Sequence, residues 1–417
     1  MKFNLTSCEI GPNFGLKDGL IALKSPIYSN PKKLSFKNKV QSFFKGRFPN
    51  HFAPEFFTRS SRTGLYLLLK SLELPPNSKV ALQAFSCVVV PNAVLQAGLK
   101  PVVLDINSEH YNLDINTFSK NWNEEIKVLI IQHTFGISTD WTEVIKFCKE
   151  KNVIIIEDCA HSLGAEVMVN GKLIEVGNLG QASFFSFGRD KIVSCTNGGL
   201  AIIHKNYPEW QARMEKNYSE INQASWIESL RSLAYIWSMA FVIRPFYGLI
   251  GKPIFKILAL LQLIGDVYTS EEKRGTSKLI NAEKMHLNLF PNLYFQLTQL
   301  QAFNKHRLAI AKIYSEKLSI NYNKGSVYLR FPVLVSSSLY PKIIAELKKQ
   351  QIILGQWYLS PFIPVQSDPT VFSYDKLNCP VVENLIQNQV LNLPTNINTS
   401  LKTAEIIANV VNQFDKA

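Results

Sequence analysis

Cysteine is sparse in this chain: six residues in 417, at Cys8, Cys87, Cys148, Cys159, Cys195 and Cys379, with no CxxC pair and no histidines at ligand spacing. That spacing excludes a finger- or ribbon-type zinc site, so no metal is expected, and scattered single thiols suit a reducing compartment. The opening residues, MKFNLTSCEIGPN, lack the apolar core of a signal peptide, so a cytoplasmic location is expected. Long apolar runs are also missing. Ser232–Ile243 offers twelve uncharged residues, too few to cross a bilayer. Acids are scarce as well, 32 Asp+Glu against 45 Lys+Arg, which leaves a formal charge of +13. No dense Lys/Arg run and no nucleic-acid motif accompany that charge, so nucleic acid is not an expected partner. An anionic small molecule or an anionic membrane surface fits better.

What is present is a large globular chain, 46% hydrophobic and 18% charged, long enough for two domains. From Phe56 onward short apolar runs alternate with helix-like stretches. The pattern predicts strands at Lys79–Ala84, Pro101–Asp105, Lys127–Gln132 and Val153–Ile156. Helices are predicted at Gly64–Leu74, Pro91–Ala97 and Trp141–Lys149. This is the signature of an α/β protein with a mainly parallel, doubly wound sheet, whose ligands bind beyond the strand carboxyl ends.

Two of the runs carry reactive groups to such ends. Val153–Ile156 delivers Asp158 to a loop in EDCAHSLGA, and Ala182–Phe187 delivers Lys191 to another in SFFSFGRDK, followed by CTNGG at Cys195–Gly199. An acid and a lysine on neighbouring strand ends are what pyridoxal phosphate (PLP) requires. The lysine amine bonds the cofactor, and the acid keeps its pyridine nitrogen protonated so that the ring acts as an electron sink. By themselves an Asp and a Lys beside strands are ordinary surface residues, and a lone histidine such as His161 is more often structural than catalytic.

The surrounding pattern is more specific. Asp158, His161, Ser186, Lys191 and Gly198-Gly199 stand in the order found in the DegT/StrS-type PLP-dependent sugar aminotransferases. SSRTGL at Ser60–Leu65, AGLKPVVLDINSEHYNLD at Ala97–Asp114 and QHTFG at Gln132–Gly136 also resemble that family's motifs. The resemblance covers roughly 55–205 and, more weakly, 290–415. It implies a type I PLP-transferase fold with a smaller C-terminal α/β domain, and a homodimer with sites at the subunit interface. Lys191 would be the cofactor lysine, Asp158 the partner of the pyridinium, and His161 a neighbour of the ring oxygen. Ser186, Arg62, Thr63 and Gly64 would hold the phosphate, where a helix start would aim backbone N–H groups at the dianion. Arg62 replaces the family's usual glycine. Cys87 stands where relatives often place an aromatic, so Phe85 is the candidate for the ring face, although core packing explains it equally well. Trp357 and Tyr358, just before SPFIPV at Ser360–Val365, are candidate substrate contacts.

The implied reaction moves an amino group from an amino acid donor, glutamate by expectation, to a keto sugar on a nucleotide. Some relatives that dehydrate sugars have a histidine in place of the lysine, so Lys191 favours transamination. A PLP-dependent sugar dehydratase and a non-catalytic, membrane-associated PLP binder are the alternatives. The expected organisation is an N-terminal arm (1–45), turn-rich and basic, then a PLP-binding domain (46–290) and a small domain (291–417). The C-terminal part is expected to hold an amphipathic helix at Gln296–Tyr314 and a basic one at Pro341–Gln350. The segment 225–266 has no counterpart in the family pattern. Its two apolar stretches with basic breaks predict either a hairpin lying on an anionic membrane or one buried against the body or a dimer mate.

Overall fold

In the computed structural model the described residues are 5–260, 269–274, 282–364 and 367–415. Val365 and residues 261–266 of the apolar segment therefore lie outside them. One sheet holds β1 (Phe56–Thr58), β2 (Lys79–Gln83), β3 (Lys100–Leu104), β4 (Ile126–Gln132), β5 (Ile154–Asp158), β6 (Ala182–Ser186) and β7 (Gly199–Ile203), of which β2 to β6 are the predicted apolar runs. With two short strands, β8 (Asn222–Gln223) and β9 (Glu283–Lys284), the order is β8-β9-β1-β7-β6-β5-β4-β2-β3. Strands β6, β5, β4, β2 and β3 run parallel, whereas β7 is antiparallel to both β6 and β1. The parallel strands read as nearly unbroken apolar runs because helices cover both faces.

Beyond the sheet, α6 (Phe290–Thr298) and α7 (Leu300–Leu318) lead to an antiparallel pair, β10 (Arg330–Leu334) and β11 (Val390–Pro394). Helix α8 (Tyr340–Lys349) packs on α9 (Leu401–Asp415), which also packs on α7. The single helix predicted over Gln296–Tyr314 is thus two, joined at Gln299. Most of the remaining predicted elements differ from the observed ones by one to three residues at their ends, as expected where frayed turns set the boundary.

The first 45 residues correct the sequence-based expectation more substantially. They are not turn-rich: α1 (Leu16–Lys24) and α2 (Asn30–Arg47) account for most of them. Lysines interleaved through α2 hide any apolar stripe, and Val40 and Phe44 are its main buried apolar anchors. Ahead of them Thr6–Ser7 pairs in parallel with Ile352–Ile353, so the arm crosses the body of its own chain.

The segment from 225 folds as α4 (Trp226–Ser238), two wide π-helical turns at Met239–Ile243 and Tyr247–Gly251, and α5 (Lys252–Leu260). Helix α4 buries Leu233, Tyr235 and Ile236 against α1, with Phe14 edge-on to Tyr235. Helix α5 has no buried residue. No single described helix is long and apolar enough to cross a membrane, and the two helical stretches are bent by 113°.

Candidate active site

Parallel register brings the carboxyl ends of three adjacent strands level: Gln132 of β4 lies beside Asp158 of β5, which lies beside Phe184 of β6. Asp158 is buried and accepts an N–H from Ala160 at 2.9 Å. Burial pushes its carboxyl up to about 6, against the pull of that N–H, the Lys191 ammonium and His133. Just before it, Glu157 does a different task. Its carboxylate accepts N–H bonds from Gly177, Leu179 and Gly180 at 2.8, 2.6 and 2.9 Å and faces His133 Nε2 at 3.2 Å, which ties down the approach to β6. His133, Glu157 and Cys159 lie close enough to one another to ligate a metal, but the carboxylate oxygens are already occupied by these donors.

His161 is held from both sides. The Phe135 N–H donates to its Nδ1 at 3.3 Å, which assigns the ring proton to Nε2. Burial, with Lys191 and Arg330 nearby, holds its imidazole well below the usual range. It is therefore a neutral donor. The Phe135 N–H reaches it because Phe135 adopts φ +56°, a left-handed turn directly after β4. Over the imidazole lies Trp357, stacked at 4.6 Å between centroids and 14° between planes. Lys191 Nζ is 4.4 Å from the same indole centroid and 3.9 Å from Asp190 Oδ1. Asp158, His161, Lys191 and Trp357 thus form one cluster. Phe85, fully buried, is 4.7 Å from the Tyr358 ring and stacks on Tyr111.

The start of α3 (Ser61–Ser71) abuts this cluster through the glycine pair. Gly199 lies opposite Ser186 in the β6–β7 ladder, and Ser60 bridges to Gly198. A Cβ on Gly199 would lie 2.5 Å from the Ser61 nitrogen, so only glycine lets the helix N-terminus lie on the strand. Ser60 and Thr63 hydroxyls meet at 3.2 Å in that first turn, and Gly64 faces Ala201 of β7. The Ser186 hydroxyl accepts the Gly188 N–H at 3.4 Å. The Arg62 guanidinium forms an ion pair with Glu272. Gly199→Ala is expected to push the helix start off the strand and to cost about 1–3 kcal/mol in urea unfolding, as overpacking does.

Two residues that the sequence did not single out complete the cluster. Arg330, at the start of β10, sets its guanidinium carbon 3.5 Å from the Trp357 centroid. It reaches Asp190 Oδ2 at 3.3 Å and Asn392 Oδ1 at 3.1 Å. An arginine opening an otherwise apolar strand, RFPVLV, was its available signal. Asn13 donates from Nδ2 to the carbonyls of Lys191 and Ile192, and its own Oδ1 accepts from Arg307 Nη2 at 2.9 Å. No local pattern marks Asn13, because its partners are far away in the chain.

The profile of the DegT/DnrJ/EryC1/StrS aminotransferase family matches residues 47–225. A GDP-perosamine synthase of Vibrio cholerae is 25% identical over 207 residues, 50% of this chain and 55% of that protein. The chain spans about half the length of the curated relatives it matches. Among solved structures, the Helicobacter pylori aminotransferase PseC, involved in the biosynthesis of pseudoaminic acid, superposes with a TM-score of 0.68. Identity there is 18%, with 98% of this chain and 100% of that one covered. The NtdA protein of Bacillus subtilis, solved with bound PMP, gives a TM-score of 0.72 at 17% identity, covering 100% of this chain and 86% of the other. The fold is that of the type I PLP aminotransferases. The family likeness thus lies over residues 47–225, and the likeness of fold extends over nearly the whole chain.

Proposed function

We propose that this protein is a PLP-dependent aminotransferase that passes an amino group from an amino acid, glutamate by expectation, to a keto sugar carried on a nucleotide. The observation that carries this reading is the convergence of a buried acid, a neutral imidazole donor and a lysine at the ends of adjacent parallel strands. These donors fit the cofactor. Asp158 would face its ring nitrogen, His161 its ring oxygen, and Lys191 its aldehyde carbon. Ser186, Thr63 and the first turn of α3 would face its phosphate. Bound there, PLP supplies an electron-withdrawing ring on which an amino group can be taken up and released.

The chain's own groups would do the rest. Lys191 Nζ would take and return the proton on the donor's carbon as a general base and acid. Asp158, as carboxylate, balances the positive ring nitrogen. His161 donates from Nε2 without adding charge. Trp357 closes the cluster over Lys191 and excludes water there. Arg330, its guanidinium paired with Asp190 and Glu9, lies on the Trp357 ring and would hold that ring in place. In the same reading residues 46–290 form the cofactor-binding body and 291–417 a smaller lobe, and two copies associate as a homodimer in the cytoplasm. Because Lys191 is present, amination is favoured over the dehydratase alternative.

The test is spectroscopic. Purified protein loaded with PLP should show the visible absorbance of lysine-bound cofactor. L-glutamate should convert it to the ultraviolet absorbance of pyridoxamine phosphate, releasing one 2-oxoglutarate per site. A 4-keto nucleotide sugar should then restore the first spectrum. Stable absorbance through additions of glutamate and the other common amino acids would overturn the proposal.

A further inference from the structure

We propose that the face built by α1, α4, the two π-helical turns and α5 docks on an anionic lipid bilayer, lying along it without crossing. Three observations support this independently of the catalytic reading. First, these elements touch in sequence: α1 packs on α4 and on the first π-helical turn, the two turns pack together, and α5 packs on both turns. Gly19 permits the close approach, since a Cβ there would lie 2.4 Å from the Phe241 ring. The outer side of this layer leaves Leu20, Leu23, Trp237, Phe246, Leu249 and Ile257 exposed, and Leu20 to Leu23 continues a helical stripe from Leu16.

Second, the face is basic. Residues 14–24 and 225–260 hold six Lys/Arg against two acids, a net +4 of the chain's +13. Both acids are engaged within the protein. Asp18 accepts from the Gly15 N–H at 2.9 Å and the Gln296 amide at 2.6 Å, and Glu228 pairs with Arg59 at 2.5 Å. Lys17, Lys24, Arg231, Lys252 and Lys256 are exposed around the apolar side chains. Third, the geometry fits lying on a surface. The two helical stretches are bent by 113°, and no single described helix is long and apolar enough to span.

Apolar side chains ringed by lysine and arginine match the lipid headgroup boundary. There the acyl region takes the former and anionic headgroups the latter. A second copy of the chain is a poorer occupant. A two-fold contact would press this basic face onto itself with no exposed acid among its described residues to answer it.

Flotation of the full chain with vesicles tests this. Binding is expected to vesicles of phosphatidylcholine mixed with phosphatidylglycerol. It should weaken in high salt and be at least about tenfold lower on phosphatidylcholine alone. The exposed-site variants Leu20→Glu/Leu249→Glu/Ile257→Glu and Lys24→Glu/Lys252→Glu/Lys256→Glu should each lose about tenfold or more. Circular dichroism and thermal melts like the wild type's would show that both variants are folded. No flotation of the wild type with anionic vesicles at low salt overturns the proposal, whatever the variants do. Unchanged binding by folded variants overturns it too. So does sedimentation showing that the wild type uses this face to self-associate and binds no vesicle.

Discussion

Replacing Lys191 with alanine is expected to reduce amino transfer by at least about a thousandfold and to remove the visible band of the PLP-loaded protein. The effect is large because the remaining cations in the cluster cannot take over. The Arg330 guanidinium is fixed by Asp190 and Asn392, and it cannot lose a proton to act as a nucleophile. The fold should survive. The Lys191 ammonium is 3.9 Å from Asp190, at the limit of an ion pair, and Asn13 holds the backbone carbonyls of residues 191 and 192, which the substitution leaves in place. Unfolding free energies should therefore match within about 1 kcal/mol. Transamination by the variant within tenfold of wild type would remove Lys191 from the reaction.

Asp158→Asn is expected to separate activity from stability. Activity should fall by about a thousandfold or more, since an amide cannot balance a protonated pyridine nitrogen. The cofactor-free protein should become more stable at pH 7. Burial raises the Asp158 carboxyl from 3.8 to about 6, so the folded state binds the proton more tightly than the unfolded chain does. Its stabilising share is complete below pH 3.8 and is lost as pH rises through about 6. At neutral pH the ionised group then costs roughly 3 kcal/mol, which the amide does not incur. Thermal melts of both apo proteins across pH 4–7 would show it, the wild type losing ground to the variant as pH rises. Asp18, also raised to about 6 by burial, should add a parallel slope to both. Cofactor affinity of the wild type should move the other way, falling as pH drops through 6 and the carboxylate is protonated.

The parts of this site that were legible in the sequence are those fixed by short-range chemistry. Apolar runs ending in Asp158 and near Lys191 identify buried parallel strands and their carboxyl ends, and the glycine pair marks a close approach. The structure supplies the reason, a helix start seated 2.5 Å from where a Cβ of Gly199 would be. What could not be read depends on distant partners. Trp357 was expected at the substrate; it lies directly on His161 and beside Lys191, a placement set by how the C-terminal lobe packs onto the sheet. Arg62, a candidate phosphate ligand, pairs with Glu272, 210 positions away. Helix α2 escaped notice because its lysines obscure the period, while a few apolar anchors suffice to dock it.

The strand at Thr6–Ser7 also constrains the order in which the molecule can be completed. Ser7 pairs with Ile353, Cys8 donates its thiol to the Asn392 carbonyl at 3.2 Å, and Asn13 grips the segment after Lys191. Residues made first must therefore wait, during synthesis, for partners made nearly 350 residues later before the arm can seat. Until then residues 6–8 lack their partners, although those of Asn13, at Lys191, Ile192 and Arg307, are already made. Contacts this distant in sequence slow the last step of folding. A nascent chain arrested before Ile352 should carry a formed sheet and an unpaired Thr6–Ser7 strand.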